Sequence, residues 1–289
     1  MKKWIEFFDR QLERMFFGKT PQMRLEHFRA VFPIFAILSF LWVPWDHWAD
    51  LPSCLWNPPG FTKLVMQSPP SLGFIYLGEI GFIVANLLLA FGRWPRIASG
   101  VAAAILGLLV GTVNAPLLYD RSANPMILTY LILAATPELG RLTLSREKQW
   151  PIRLIQFNFF ITFFAAGISK LARSGWSWTA ADNLIAKWNW AGAHLSSNKL
   201  LPIQDYFHDQ LSHLHGFAHE VAVAVLALEI GSLAFFLSPV SIIWGALVLA
   251  LFQTTVFLTM YIPFSLFIPL YVVFLPLERL SWRPIGARA

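Results

Sequence analysis

One cysteine, Cys54, stands among 289 residues. That excludes an intramolecular disulfide and every metal or iron–sulfur site that needs several thiolates. Charge is scarce too: Asp, Glu, Lys and Arg make up 13% of the chain, against 56% hydrophobic residues. A soluble chain of this length would form about two domains with alternating polar faces, and that alternation is missing. No internal repeat or low-complexity linker divides the sequence. The N-terminal stretch MKKWIEFFDRQLERMFF has no uninterrupted apolar region and no cleavage site, so it does not read as a signal peptide. There is no HExxH or comparable metal signature. Nothing points to nucleic acid.

What is present is apolar and aromatic, including 13 Trp and 26 Phe. Several stretches approach the roughly 20 apolar residues that cross a bilayer. They predict an all-α integral membrane protein, a single domain over 1–289 built as a bundle of about eight transmembrane helices. The spans are 27–45, 72–92, 97–115, 125–139, 152–171, 217–237, 240–260 and 262–277. Trp4, Phe8, Leu12 and Met15 recur at helical spacing, which predicts an interfacial helix over 1–26. Two long loops remain, 46–71, rich in Pro and Trp, and 172–216, rich in Trp, His and Ser.

Charge placement orients the bundle. With the N-terminus inside, inner segments hold 16 Lys/Arg: seven up to Arg29, then Arg93, Arg96, Arg141, Arg146, Lys148, Arg153, Arg279, Arg283 and Arg288. Outer segments hold five, Lys63, Arg121, Arg173, Lys187 and Lys199, with Lys170 left out of the count. This bias predicts both termini cytoplasmic and the loop 172–216 outside. In a bacterial inner membrane that side is the periplasm. The net charge of +6 suits a surface facing anionic lipid.

The run IQFNFFITFFAAGISKLARSGWSW, residues 155–178, carries one lysine, Lys170, near the outer end of an apolar stretch. Ala165, Ala166, Gly167 and Ser169 surround it, and Trp176 and Trp178 follow. A lysine there either snorkels to water or does chemistry. Counting helical rise places Glu79, Asn114, Asn124, His219, Glu220 and Gln253 at the level of Lys170. With Gly167 they are the expected lining of one polar pocket open to the outside. Each also has a structural reading, as helix staple, cap or interhelical glue. Asn158 reads as glue. Glu229 falls near the midplane or below and is left outside the pocket. His208, His215 and His219 are spaced i, i+7, i+11, with His213 between them and Glu220 beside the last. With Glu220 nearby such a set could hold a metal, but the default reading is a solvated, lid-like loop, and no metal is expected there.

The run FFAAGISKLARSGWSW resembles the membrane domain shared by vitamin K-dependent gamma-carboxylase and its bacterial relatives, the horizontally transferred transmembrane (HTTM) domain family. The shared pattern is a span ending A-G-hydrophobic-x-K-L, here Ala166 to Leu171, followed by a tryptophan-bearing segment, here Trp176 and Trp178. Ala181, Asp182 and Asn183 look like one bacterial branch. The resemblance implies that Lys170 is a general base acting on a quinol, with lyase- or oxygenase-like chemistry and a vitamin K-like quinol as cofactor. Small apolar neighbours disfavour a lysine's ammonium form, which makes a neutral amine available. This chain departs from the family pattern at Gln253 and at Asn124-Pro125, where the family often has histidines. The carboxylase also has a large lumenal domain after its membrane part, where a short basic tail follows here, so a smaller substrate is expected. The expected function is a membrane-embedded enzyme acting on a quinol, lipid or small lipophilic molecule at the outer side. The alternative is a non-enzymatic membrane protein that binds or transports lipid or an anionic headgroup. Membrane lipids and a lipophilic small molecule are the expected partners.

Overall fold

The computed structural model describes residues 23–115, 123–137, 150–195, 201–213, 215–262 and 264–277, with Glu13 and Leu139 as single positions. Its α-helices are α1 (Met23–Phe40), α2 (Gly60–Val65), α3 (Leu72–Ala90), α4 (Pro95–Val113), α5 (Asn124–Ala135), α6 (Trp150–Ser174), α7 (Ala181–Leu195), α8 (Ile203–His213), α9 (Ala218–Gly231) and α10 (Pro239–Met260). A 3₁₀ helix, Ser265–Phe274, follows α10. No strand occurs among the described residues. Trp4, Phe8, Leu12 and Met15 of the expected surface helix lie outside the described residues, and 23–26 form the first turn of α1.

Five segments are long and apolar enough to cross a membrane: Leu72–Ala90, Pro95–Val113, Trp150–Thr179, Ala218–Leu237 and Val240–Met260. Leu77, Ile80 and Ile97 of the first two are at least 60% exposed, as is Leu251 of α10, an outward apolar face that suits lipid. The chain reads as an all-α membrane protein. The expectation of about eight full spans is corrected in three places. α5 has 12 residues and Ser265–Phe274 has 10. At 1.5–2.0 Å of rise per residue, each falls well short of a hydrocarbon core of about 30 Å. α1 has 18 residues but opens with Arg24, Glu26 and Arg29.

The chain divides into two compact units, Met1–Asn158 with Ser265–Ala289, and Phe159–Phe264. In the first, α4 packs on α3 and α5, and α1 packs on α3 and on Ser265–Phe274. Stacked rings form its centre: Phe40 on Phe82 at 4.1 Å, Phe28 on Phe32 at 5.0 Å, and Tyr130 against Phe32 at 5.1 Å. Several polar groups inside are paired. The Tyr130 hydroxyl donates to Asn86 Oδ1 at 2.6 Å, and Asn86 Nδ2 donates to the Phe82 carbonyl. Asn158 donates to the Pro125 carbonyl at 2.7 Å, the glue expected of it.

Arg29 is fully buried. Its Nε donates to Glu26 at 2.7 Å, and its Nη1 donates to the carbonyls of Leu89 and Ala90 at 2.6 and 2.9 Å. Both carbonyls lie in the last turn of α3, where that of Leu89 also accepts from the Gly92 amide at 3.0 Å, so a cation there both caps the helix and answers its dipole. Gly92, at φ +69°, lets the chain turn under this guanidinium, since a Cβ would stand 3.0 Å from Arg29 Nη1.

The segment 46–71 is not a plain loop. It folds into two 3₁₀ turns and α2, which lies on α4. Thr62 is seated at Gly111 and donates to the Gly107 carbonyl at 3.4 Å. Gly111 allows this close approach, because a Cβ there would overlap the Thr62 side chain.

In the second unit, the expected loop 172–216 is largely helical. After α6 comes a 3₁₀ stretch, Gly175–Thr179, then α7 and α8. Leu184, Trp188 and Ala191, at i, i+4 and i+7, form the buried face of α7. Leu184 and Trp188 join Ala218 and Ala222 of α9 in one cluster. A capping box starts α10: the Ser238 hydroxyl accepts from the Ser241 amide, and the Ser241 hydroxyl accepts from the Ser238 amide.

Candidate functional site

The second unit brings an ion pair into its apolar helices. α6 and α9 run antiparallel. Phe160 faces Ser232, Gly167 faces Glu229 and Ile230, and Thr179 faces His219. Gly167 sets the close approach, because a Cβ there would lie 2.9 Å from Ile230 Cγ1 and 3.0 Å from Glu229 Cβ. One turn further along α6, Lys170 Nζ donates to Glu229 Oε1 in close contact. The Lys170 side chain is 26% exposed and that of Glu229 is 5% exposed. Glu229 Oε2 is buried and has no hydrogen-bond partner.

Glu229, left out of the expected pocket on depth, is thus the partner of Lys170. Side chains on a helix lean toward its N-terminus. On antiparallel helices the two lean toward each other, and this closes a gap that counting Cα rise leaves open.

Aromatic and charged groups surround the pair. Lys170 Nζ stands 4.7 Å from the Trp178 ring centre, and Lys187 Nζ of α7 stands 4.7 Å from the same centre. Such contacts stabilise an ammonium by about 0.5–2 kcal/mol. Lys187 is exposed as a residue, yet its pKa is held below the ordinary lysine value. Loss of water is the first cause and the Lys170 charge the second, with Glu229 pulling the other way.

The other expected site residues fall as follows. His219 is exposed, and its Nδ1 meets the Thr179 carbonyl at 2.8 Å, which assigns the ring proton to Nδ1 and ties the start of α9 to the 3₁₀ stretch. Glu220 is exposed in the first turn of α9, where a carboxylate answers the helix dipole. Gln253 is buried in α10. Glu79 is half-buried in α3, Asn114 caps the C-terminus of α4 and is buried, and Asn124 is exposed at the start of α5. These last three belong to the first unit, while Gly167, Lys170, His219, Glu220 and Gln253 belong to the second.

No family model, curated protein or solved structure matches the chain.

The histidines are dispersed over separate partners. His208 Nδ1 meets the Thr259 carbonyl at 2.7 Å and its ring lies 5.2 Å from that of Tyr261. Its Nε2 abuts Gly192, where a Cβ would stand 2.3 Å away. Tyr261 donates to Asp205 at 3.0 Å. Burial, that bond and the charges of Asp205 and Asp209 raise the Tyr261 pKa to about 12, so it remains a donor. His213 is exposed, and the His215 side chain lies outside the described residues. Among the described residues, no group of three His, Cys, Asp or Glu is placed to hold a metal ion.

Lys187 was not singled out in the sequence. A readable signal existed: Lys187 lies three residues after Leu184 and one before Trp188, at the margin of an apolar stripe.

Proposed function

We propose that the chain is a membrane-embedded enzyme that takes a proton from a lipophilic substrate, a quinol or lipid hydroxyl, at the Lys170–Glu229 pair. The observation that carries this reading is the pair itself, a lysine and a 5%-exposed glutamate in contact within apolar helices. Ionisable groups in such helices are costly and mark substrate paths and proton relays by default. The similarity of the run around Lys170 to the HTTM family, with its lysine base, supports the same chemistry.

The proton balance is as follows. The pair shares one mobile proton. In a site poor in water, the neutral amine–acid form competes with the ion pair. In that form the Lys170 amine forms an N–H bond as the substrate O–H bond breaks. Lys170 is then ammonium, Glu229 is neutral, and the substrate is an oxyanion held by Lys170. Net charge is unchanged, which suits a desolvated site.

In this reading α1, α5 and Ser265–Phe274 complete the eight expected spans as short or tilted members. Both termini are cytoplasmic and Lys170 faces the outer side, on the 16-to-5 charge bias. Cysteines introduced at Ser145 and Ser196 in a Cys54-free background should then label from opposite sides. The second reading, a protein that binds or transports lipid without turnover, draws support from the extra cation Lys187 on Trp178.

Lys170→Arg separates the two readings. It keeps charge and reach but cannot release a proton. A base is lost in this variant and an anchor is largely kept. Loss of turnover of a hydroquinone or of the protein's copurified lipophile is the expected result. Near wild-type turnover in Lys170→Arg contradicts the base assignment.

A further inference from the structure

The Lys170–Glu229 pair leaves two features unexplained. Glu229 Oε2 is buried without a partner, which costs about 1–3 kcal/mol unless a donor reaches it. Lys187 brings a second ammonium to Trp178, so two cations meet at one indole and one carboxylate pairs with the first of them. The cluster of Lys170, Lys187 and Glu229 therefore carries one uncompensated positive charge.

We propose that Lys170, Lys187 and Glu229 Oε2 bind the headgroup of an anionic phosphodiester with a neighbouring hydroxyl, the phosphate lying on the two ammoniums and the hydroxyl donating to Oε2. This rests on the reading of the pair as a ligand site and names the class of ligand it takes. The two ammoniums are each 4.7 Å from one ring centre, so they are at most 9.4 Å apart. A phosphate bridging two ammoniums through different oxygens can reach up to about 8 Å between the nitrogens. A phosphodiester carries one negative charge, which matches the excess. The adjacent hydroxyl supplies the donor that the carboxylate oxygen lacks. Lys187 lies on α7, outside the long apolar segments, and Lys170 lies one turn from the end of α6. That is the level at which snorkelling lysines meet lipid phosphates. The free-state pKa of Lys187, pushed down by desolvation and by Lys170, fits a cation awaiting an anion.

The test uses the full chain in neutral detergent, titrated with short-chain phosphatidylglycerol, phosphatidylmethanol (anionic without the hydroxyl), phosphatidylcholine and soluble glycerophosphoglycerol. Phosphatidylglycerol should bind more tightly than phosphatidylmethanol and far more tightly than phosphatidylcholine. Lys187→Gln should weaken its binding at least tenfold, and Lys187→Arg should retain it. Between the depressed pKa of Lys187 and the ordinary 10.5, binding should take up protons, because the phosphate recharges the amine. Binding of the lipid alone, or equally of the soluble diester, supports the site and tells which source it uses. Equal affinity in wild type and Lys187→Gln, no preference over phosphatidylcholine, or no proton uptake overturns it. Lys170→Arg keeps both positive charges and should keep binding, so a failure of the proton-transfer reading shows there as lost or retained turnover, independent of affinity.

Discussion

A double-mutant cycle on Lys170 and Glu229 measures what the pair contributes. Two opposite charges 4 Å apart attract by about 4 kcal/mol at an effective dielectric of 20. Desolvating them offsets part of this. Lys170 retains 26% exposure and Glu229 only 5%, so the carboxylate suffers more when left alone. Lys170→Met strands a buried carboxylate and should destabilise the protein by about 3–5 kcal/mol. Glu229→Met leaves an ammonium that still reaches water and Trp178, and the loss should be smaller, about 1–2 kcal/mol. Lys170→Met with Glu229→Met removes both charges and should be near neutral or stabilising. The expected coupling is about 4 kcal/mol or more. Reversible unfolding in mixed micelles, followed by circular dichroism, reads each corner. A coupling below about 0.5 kcal/mol would show that the two side chains do not interact as described.

Gly167→Ala places a Cβ 2.9–3.1 Å from Ile230 and Glu229 atoms, backbone included. It should destabilise by about 1–3 kcal/mol, and an unchanged melting temperature would argue against the close α6–α9 approach. Arg29→Ala leaves Glu26 buried without this cation and takes a donor from two α3 carbonyls, with an expected loss of about 3–5 kcal/mol. Hydrogen exchange at the end of α3 should accelerate in that variant, and unaltered protection there would refute the capping role. Gly192→Ala sets a Cβ 2.3 Å from His208 Nε2. It should shift the His208 ring resonances, whereas an unperturbed spectrum would contradict the contact.

The long apolar helices were legible in the sequence because hydropathy and length dominate where a helix faces lipid. α3, α4, α6, α9 and α10 lie within a few residues of their expected spans. The short members are over-read: the expected span 125–139 runs past the apolar residues of α5, which end at Ala135, into Thr136 and Pro137. The segment 172–216 reads as a loop on its Trp, His and Ser content. Yet Leu184, Trp188 and Ala191 already displayed a helical stripe. Lys170 and Gly167 were legible as small-residue and lysine signals. Glu229 was not, because a depth reckoned from backbone rise ignores where long side chains lean. The polar pocket expected from shared depth drew on residues of both units, and depth alone says nothing of which face of a helix a residue occupies.

Mass spectrometry of small molecules released from the purified protein tests the central claim most directly, with wild type and Lys170→Met/Glu229→Met compared side by side. The account predicts a lipophile with an ionisable hydroxyl, retained at near one equivalent by wild type and lost from the charge-free variant. The same lipophile in equal amount from both proteins, or no lipophile retained by wild type, would contradict it.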